Sequence, residues 1–170
     1  AGYTSFFGGA GSELALALGA DDLGNVYVAG ATTDFTGFVV APGKVLGGPP
    51  PPGAGSDAFV AKVDASGTLV YVTVLGGASD DSPVAVVRDA QGQAIVAMVT
   101  SSPDLPTTSD APQRKLATAG GPFNQDAFLA TLTPDGSDLA FATYLDLGTN
   151  DHLIACLDVA DPTQQCFERF

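Results

Sequence analysis

Basic residues are scarce in this chain. Six Lys and Arg stand against nineteen Asp and Glu over 170 residues, a formal net charge of −13. Phosphate backbones are repelled by that balance, and no basic stripe with interleaved aromatics offsets it, so nucleic acid is not an expected partner. Histidine is scarcer still: His152 is the only one, which excludes a multi-histidine metal site within one chain. No apolar run approaches the ~20 residues that cross a bilayer as a helix. The longest, such as Leu69–Leu75, are strand-sized, and no membrane span is expected. Catalytic signatures are missing as well. There is no Gly-x-Ser-x-Gly elbow, and Gly8-Gly-Ala-Gly11 is too short for a dinucleotide fingerprint and opens no helix. A carboxylate pair for glycoside hydrolysis stays open, because it needs only two acids at a suitable separation. The expectation is a protein that is not an enzyme and has no cofactor.

Apolar residues and turn formers are plentiful. The chain is 45% hydrophobic and 15% charged, which is not the composition of a disordered segment. Its 21 glycines and 12 prolines favour many short elements joined by tight turns. The length suits one domain, 1–170. The chain opens on the strand-like Tyr3–Phe7 rather than on a leader, as expected of a processed mature protein.

Repetition organises the whole chain. Tyr3-Thr-Ser-Phe-Phe-Gly-Gly aligns with Tyr71-Val-Thr-Val-Leu-Gly-Gly, and at the same offset Gly24 meets Gly92, Val28 meets Val96 and Thr32 meets Thr100. Asp57-Ala-Phe-Val-Ala-Lys-Val then meets Asp126-Ala-Phe-Leu-Ala-Thr-Leu, and Phe141 restarts the unit begun at Tyr71. The units run over about 1–70 and 71–140, with a partial one at 141–170. Each complete unit holds four strand candidates rich in Val, Leu, Ile, Phe and Tyr. In the first these are Leu14–Gly19, Asn25–Gly30, Asp57–Val63 and Leu69–Leu75; in the second, Val84–Arg88, Ala94–Thr100, Asp126–Leu132 and Leu139–Leu145. A strand over Tyr3–Phe7 precedes them, and Leu153–Val159 and Cys166–Phe170 follow.

Turn chemistry agrees. Asp21-Asp-Leu-Gly24, Asp64-Ala-Ser-Gly67 and Asp89-Ala-Gln-Gly92 place Asp first and Gly fourth, and Thr133-Pro-Asp-Gly136 has Thr in the Asp place. The Asp side chain accepts from the turn's own amides, while Gly takes the left-handed conformation. Several strands are apolar on both faces: Leu14, Leu16 and Leu18 alternate with Ala15 and Ala17. That pattern suits sheets covered on both sides, as in stacked propeller blades or stacked sandwiches. The expected fold class is all-β, with antiparallel four-stranded units of β-propeller blade type.

Four stretches carry a family resemblance. They are Tyr71–Leu75-Gly76-Gly77 followed by Asp80-Asp81; Asp21-x-x-Gly-Asn-Val-Tyr-Val-Ala-Gly30; Asp57-Ala-Phe-Val-Ala-Lys-Val-Asp64; and Ser102-Pro-Asp-Leu-Pro-Thr-Thr-Ser-Asp-Ala-Pro-Gln113. Together they resemble the bacterial β-propeller repeat called SBBP, over nearly the whole chain. The resemblance implies blades in a secreted or cell-surface protein and carries no catalytic residue across. Its surface context also makes glycans a possible partner class. The first unit departs from it, with Gly47-Gly-Pro-Pro-Pro-Pro-Gly53 in place of the Leu-Pro-Thr-Thr loop. Four prolines in a row favour a stiff polyproline II spacer.

Two complete units cannot close a ring of 4–8 blades. Open strand edges are then expected at Tyr3, Thr4, Ser5, Phe6 and Phe7 and at Cys166, Phe167 and Phe170. Either one copy donates a strand to the next by β-strand addition, giving a homo-oligomer or filament, or the chain is part of a longer propeller. Carrying the first two hairpins on by seventy residues sets Cys156 and Cys166 almost opposite each other, so that a disulfide or two buried thiols is expected there. Asp80, Asp81 and Asp151 share one loop position of successive units. They are weak calcium candidates without ordered ligand spacing, or solvated turn acids.

Overall fold

The computed structural model describes residue 4 and residues 6–38, 41–47, 55–117 and 125–145. These residues form nine strands and no helix: β1 (Glu13–Ala20), β2 (Val26–Thr32), β3 (Val45–Gly47), β4 (Asp57–Val63), β5 (Leu69–Gly76), β6 (Asp81–Arg88), β7 (Ala94–Thr100), β8 (Asp126–Leu132) and β9 (Leu139–Leu145). The first sheet has the order β1-β2-β4-β5-β3 and the second β6-β7-β8-β9. Each unit is thus an up-and-down antiparallel meander of four strands, as its spacing predicts.

The turns form as expected. The N–H groups of Gly24, Gly67, Gly92 and Gly136 donate to the carbonyls of Asp21, Asp64, Asp89 and Thr133, at 2.9, 2.9, 3.2 and 2.8 Å. All four glycines have positive φ, which a side chain would resist. Asp21 Oδ1 accepts from the amides of Leu23 and Asn25, at 3.0 and 2.9 Å, and Asp64 and Asp89 hold their turns in the same way.

Strand β3 was not expected. It lies parallel to β5, pairing Val45–Gly47 with Val74–Gly76, and the Val74 amide donates to the Lys44 carbonyl at 3.0 Å. The outer edge of β5 is therefore covered by the unit's own loop, which removes an exposed row of amides and buries Leu46. The second sheet covers its outer edge similarly. The Thr108 amide donates to the Ala142 carbonyl at 3.2 Å, and the Tyr144 amide to the Gln113 carbonyl at 3.0 Å.

Three expectations change. Strand β6 starts at Asp81 rather than Val84, because Asp81 continues the ladder opposite Thr100. Asp81 is therefore a buried strand residue and not a loop acid. Around the expected Tyr3–Phe7 strand, Thr4, Phe6 and Phe7 lie outside all strands. Phe7 instead packs its ring against Phe38 and Phe59, with centroids at 6.2 and 6.3 Å, a burial that a lone edge strand could not supply. Phe6 is 95% exposed. Finally, neither sheet is covered evenly on both faces, as the exposed Leu14, Leu18 and Val87 show. Tyr3, Ser5, Leu153–Val159 and Cys166–Phe170 lie outside the described residues.

The main core lies between the two sheets. Tyr27, Ala29, Val60, Tyr71 and Leu75 of the first sheet meet Val86, Val96, Met98, Phe128, Ala130 and Tyr144 of the second. The sheets meet chiefly through β1 and β2 against β6. Gly19 sets how closely: a Cβ there would stand 2.8 Å from the Val86 carbonyl oxygen. A second cluster covers part of the opposite face of the first sheet, where Phe38 lies over Phe59, Ala61, Val72 and Val74, with Phe7 and Phe35 beside it.

Candidate functional site

The connection from β5 to β6 joins the sheets, and four aspartates gather about it. Its Gly76-Gly77 pair is flanked on one side by Asp57, the first residue of β4, and on the other by Asp104 and Ser102. A Cβ on Gly76 would strike the Asp57 carboxylate, and one on Gly77 would stand 2.5 Å from Asp104 Oδ1. Glycine at both places lets the acids approach the backbone. The Gly77 amide donates to Asp81 Oδ2 at 3.0 Å and the Ala78 amide to Asp104 Oδ1 at 2.9 Å. Asp80 Oδ1 accepts from the Ser56 amide at 2.8 Å, and the Asp81 amide donates to the Ser56 carbonyl, also at 2.8 Å.

Asp81 is well held. Thr100 Oγ1 donates to its Oδ1 at 2.5 Å and Ser102 Oγ to its Oδ2 at 2.9 Å. The first unit repeats the device, with Thr32 Oγ1 donating to Glu13 Oε1 at 3.1 Å. Burial pushes the Asp81 carboxyl up to about 6; its three donors work against that rise, and the nearby Asp104 charge adds to it.

Asp57 differs. It is 2% exposed, and its Oδ1 has no hydrogen-bond partner. Its counterpart in the second unit, Asp126, accepts at Oδ2 from the Ala117 amide at 2.6 Å and from Gln113 Nε2 at 3.2 Å. Burial, and after it the charges of Asp81 and Asp104, raise the Asp57 carboxyl to about 7. Removed from water and lacking a donor, it keeps its proton well above the ordinary carboxylate range, because an unpaired buried charge costs more than a neutral acid.

The geometry limits the chemistry. Asp57 and Asp81 are both buried, so neither can meet a dissolved substrate without the joint opening. No three His, Cys, Asp or Glu side chains among the described residues form a metal-ligating group. Asp80 and Asp81 turn to separate donors, Ser56 and Thr100, while Asp151 lies outside the described residues. Cys156, Cys166, Phe167 and Phe170 also lie outside them. Asp57 was missed as a special residue, although the repeated Asp-Ala-Phe at two strand starts signals a buried acid.

A second feature is a surface. On the outward side of the second sheet, Val87, Ile95 and Phe141 form one cross-strand row with Thr131, and Ala85, Ala97 and Leu129 form the next with Thr143. Most of these residues are only partly buried, and Val87 is 56% exposed. On the first sheet Leu18 is 70% exposed, while its cross-strand partner Val28 packs against the Phe38 and Phe59 cluster.

No family model matches the chain, and no curated protein is similar to it at a significant level.

Proposed function

We propose that this chain is a non-catalytic structural protein of the bacterial exterior, built from SBBP-type propeller blades and assembled with copies of itself. One observation carries this reading. The two units are near-duplicate four-stranded meanders that stack face to face through apolar surfaces. Four-stranded meanders stacked in this way suit blade architecture, and the repeated motifs suit the SBBP resemblance. The extracellular setting rests on that resemblance and on the placing of Cys156 and Cys166 one repeat beyond Val86 and Val96, which pair directly.

Copies join by β-strand addition in this reading, a strand of one copy pairing with a free sheet edge of the next. Strand β3 occupies the outer edge of β5 and the 108–113 segment much of that of β9, which leaves β1 and β6 as the edge strands open to strand addition among the described residues. The acid-lined connection serves as the joint that fixes one sheet on the next. Negative-stain electron microscopy of the purified full chain tests the reading: rings or filaments support it, and uniformly monomeric particles overturn it.

A further inference from the structure

We propose that the β5–β6 connection is a latch closed by a proton on Asp57: with the proton the connection lies shut, and without it the connection opens locally while both sheets stay folded. This goes beyond the assembly reading and does not depend on it, so a chain that never assembles leaves it untouched.

Acids of the two units face each other across this joint. Asp57 belongs to the first sheet, as the first residue of β4. Asp81 opens β6 of the second, and Asp104 lies in the loop that follows β7. Asp57 is 2% exposed, and its Oδ1 has no hydrogen-bond partner. The strands beside it bring no counter-charge. Strand β2 sets Thr32 opposite it, and β5 sets Gly76 so close that a Cβ there would meet its carboxylate. The charges that act on it, those of Asp81 and Asp104, are both negative. Of the other acids nearby, Asp80 is turned to the Ser56 amide and Glu13 to the Thr32 hydroxyl. Two bases are engaged elsewhere, Arg88 by Asp21 and Lys44 by Asp138.

A neutral carboxyl is tolerated in such a place. An ionised one is a buried charge with two like charges before it, and entry of water is the relief open to it. Its counterpart Asp126 shows what holding the charge shut requires, since the Ala117 amide and Gln113 Nε2 both donate to it. No such donor reaches Asp57 Oδ1.

The joint can yield without either sheet unfolding. The Gly77 amide is held by Asp81, the Ala78 amide by Asp104 and the Ser56 amide by Asp80, and the Asp81 amide is held by the Ser56 carbonyl. None of these bonds belongs to a strand ladder. Asp81 keeps its place on opening, because Thr100 and Ser102, two of its three donors, are of its own unit. The apolar core between the sheets is separate from these bonds and stays closed.

The sign follows from the raised carboxyl. Asp57 goes from an ordinary 3.8 to about 7 in the closed joint, so between those values opening releases a proton. The latch is fully shut below about pH 4, and its hold is lost as pH rises through 7.

Amide hydrogen exchange of the full chain, followed by NMR from about pH 5 to about pH 8 and corrected for intrinsic rates, tests the proposal. The amides of Gly77, Ala78 and Asp81 are expected to lose protection about tenfold per pH unit up to about pH 7 and to level off above it. They are also expected to be at least about tenfold less protected than the central-strand amides of Val96 and Ala130. Asp57→Asn, which cannot ionise, is expected to hold the protection of the joint constant over this range. A flat wild-type profile overturns the latch, and decides the matter even if the variant fails to fold. A decline that persists unchanged in Asp57→Asn overturns it too. Joint amides that exchange in step with Val96 and Ala130 at every pH have the same force, because the joint then opens only when the whole fold does.

Discussion

Leu18 and Val86 are one position in successive units, yet Leu18 is 70% exposed and Val86 4%. Both point to the same side of their sheets, as their pairing with Val28 and Val96 shows. What differs is the neighbour: a sheet covers Val86 and none covers Leu18 among the described residues. Truncation should therefore cost unequally. Val86→Ala is expected to lower unfolding stability by about 2 kcal/mol, from lost burial plus a cavity. Leu18→Ala should stay within about 0.5 kcal/mol in dilute solution. Urea denaturation of the two variants measures the difference.

The distance between the sheets is set at Gly19. Placing Val there, as the second unit has at Val87, drives a side chain into the Val86 carbonyl. Gly19→Val is expected to destabilise by about 1–3 kcal/mol despite valine's better strand propensity. Thermal unfolding followed by circular dichroism reads this out, and an unchanged midpoint argues against the close approach.

The buried acids predict an unusual pH response. Asp57 and Asp81 rise from an ordinary 3.8 to about 7 and about 6. Between those limits the folded chain holds more protons than the unfolded one, so their contribution is fully present below about pH 4 and is lost as pH rises through 6 and 7. The turn carboxylates of Asp21, Asp34, Asp64 and Asp135 are held below 3.8 by donors from their own turns. They work in the opposite sense, their contribution being lost as pH falls below about 4. Stability is therefore expected to peak in mild acid and to decline towards pH 8. Asp57→Asn removes much of that decline. Denaturant midpoints from pH 4 to pH 8 check it, and a wild-type curve that rises over this range contradicts it.

Two buried tyrosines should respond in opposite directions. Tyr71 Oη has no partner, whereas Tyr144 Oη accepts from the Leu105 amide at 2.9 Å and donates to the Ser102 carbonyl at 2.8 Å. Tyr71→Phe is expected to be neutral or stabilising by about 1 kcal/mol, since it removes an unsatisfied hydroxyl. Tyr144→Phe frees the 102–105 loop and orphans a buried amide, at a cost of about 1–3 kcal/mol. Chemical denaturation of both variants provides the comparison.

Val86 and Val96 pair directly across β6 and β7, and Cys156 and Cys166 lie seventy residues beyond them. We expect a disulfide between the two cysteines in protein purified without reductant. Peptide mass spectrometry before and after reduction detects it, and free thiols on both cysteines argue against an oxidising compartment.

Much of this fold was legible because periodicity, turns and repetition agreed. Strands such as β4 and β8 are apolar, begin with Asp-Ala-Phe and run into an Asp or Thr turn. Strand β3 gave no such signal: three residues among glycines and prolines, paired in parallel across a loop, leave no local pattern. The acidic joint was half legible. Asp80 and Asp81 stood out as a pair, but burial of Asp81 follows from ladder pairing with Thr100, which spacing alone does not reveal. The isolation of Asp57 shows only when its counterpart Asp126 is seen with its donors. Leading residues Tyr3–Phe7 resembled Tyr71–Leu75 closely enough to suggest a strand, yet Phe7 packs into an aromatic cluster.

Sedimentation velocity on the full wild-type chain, followed through dilution at low and high salt, is the most direct measurement. The proposed assembly of copies predicts species above 17.0 kDa that grow with concentration and with salt, which screens the repulsion between acidic copies. A single 17.0 kDa species under every condition would contradict a molecule made to assemble with copies of itself.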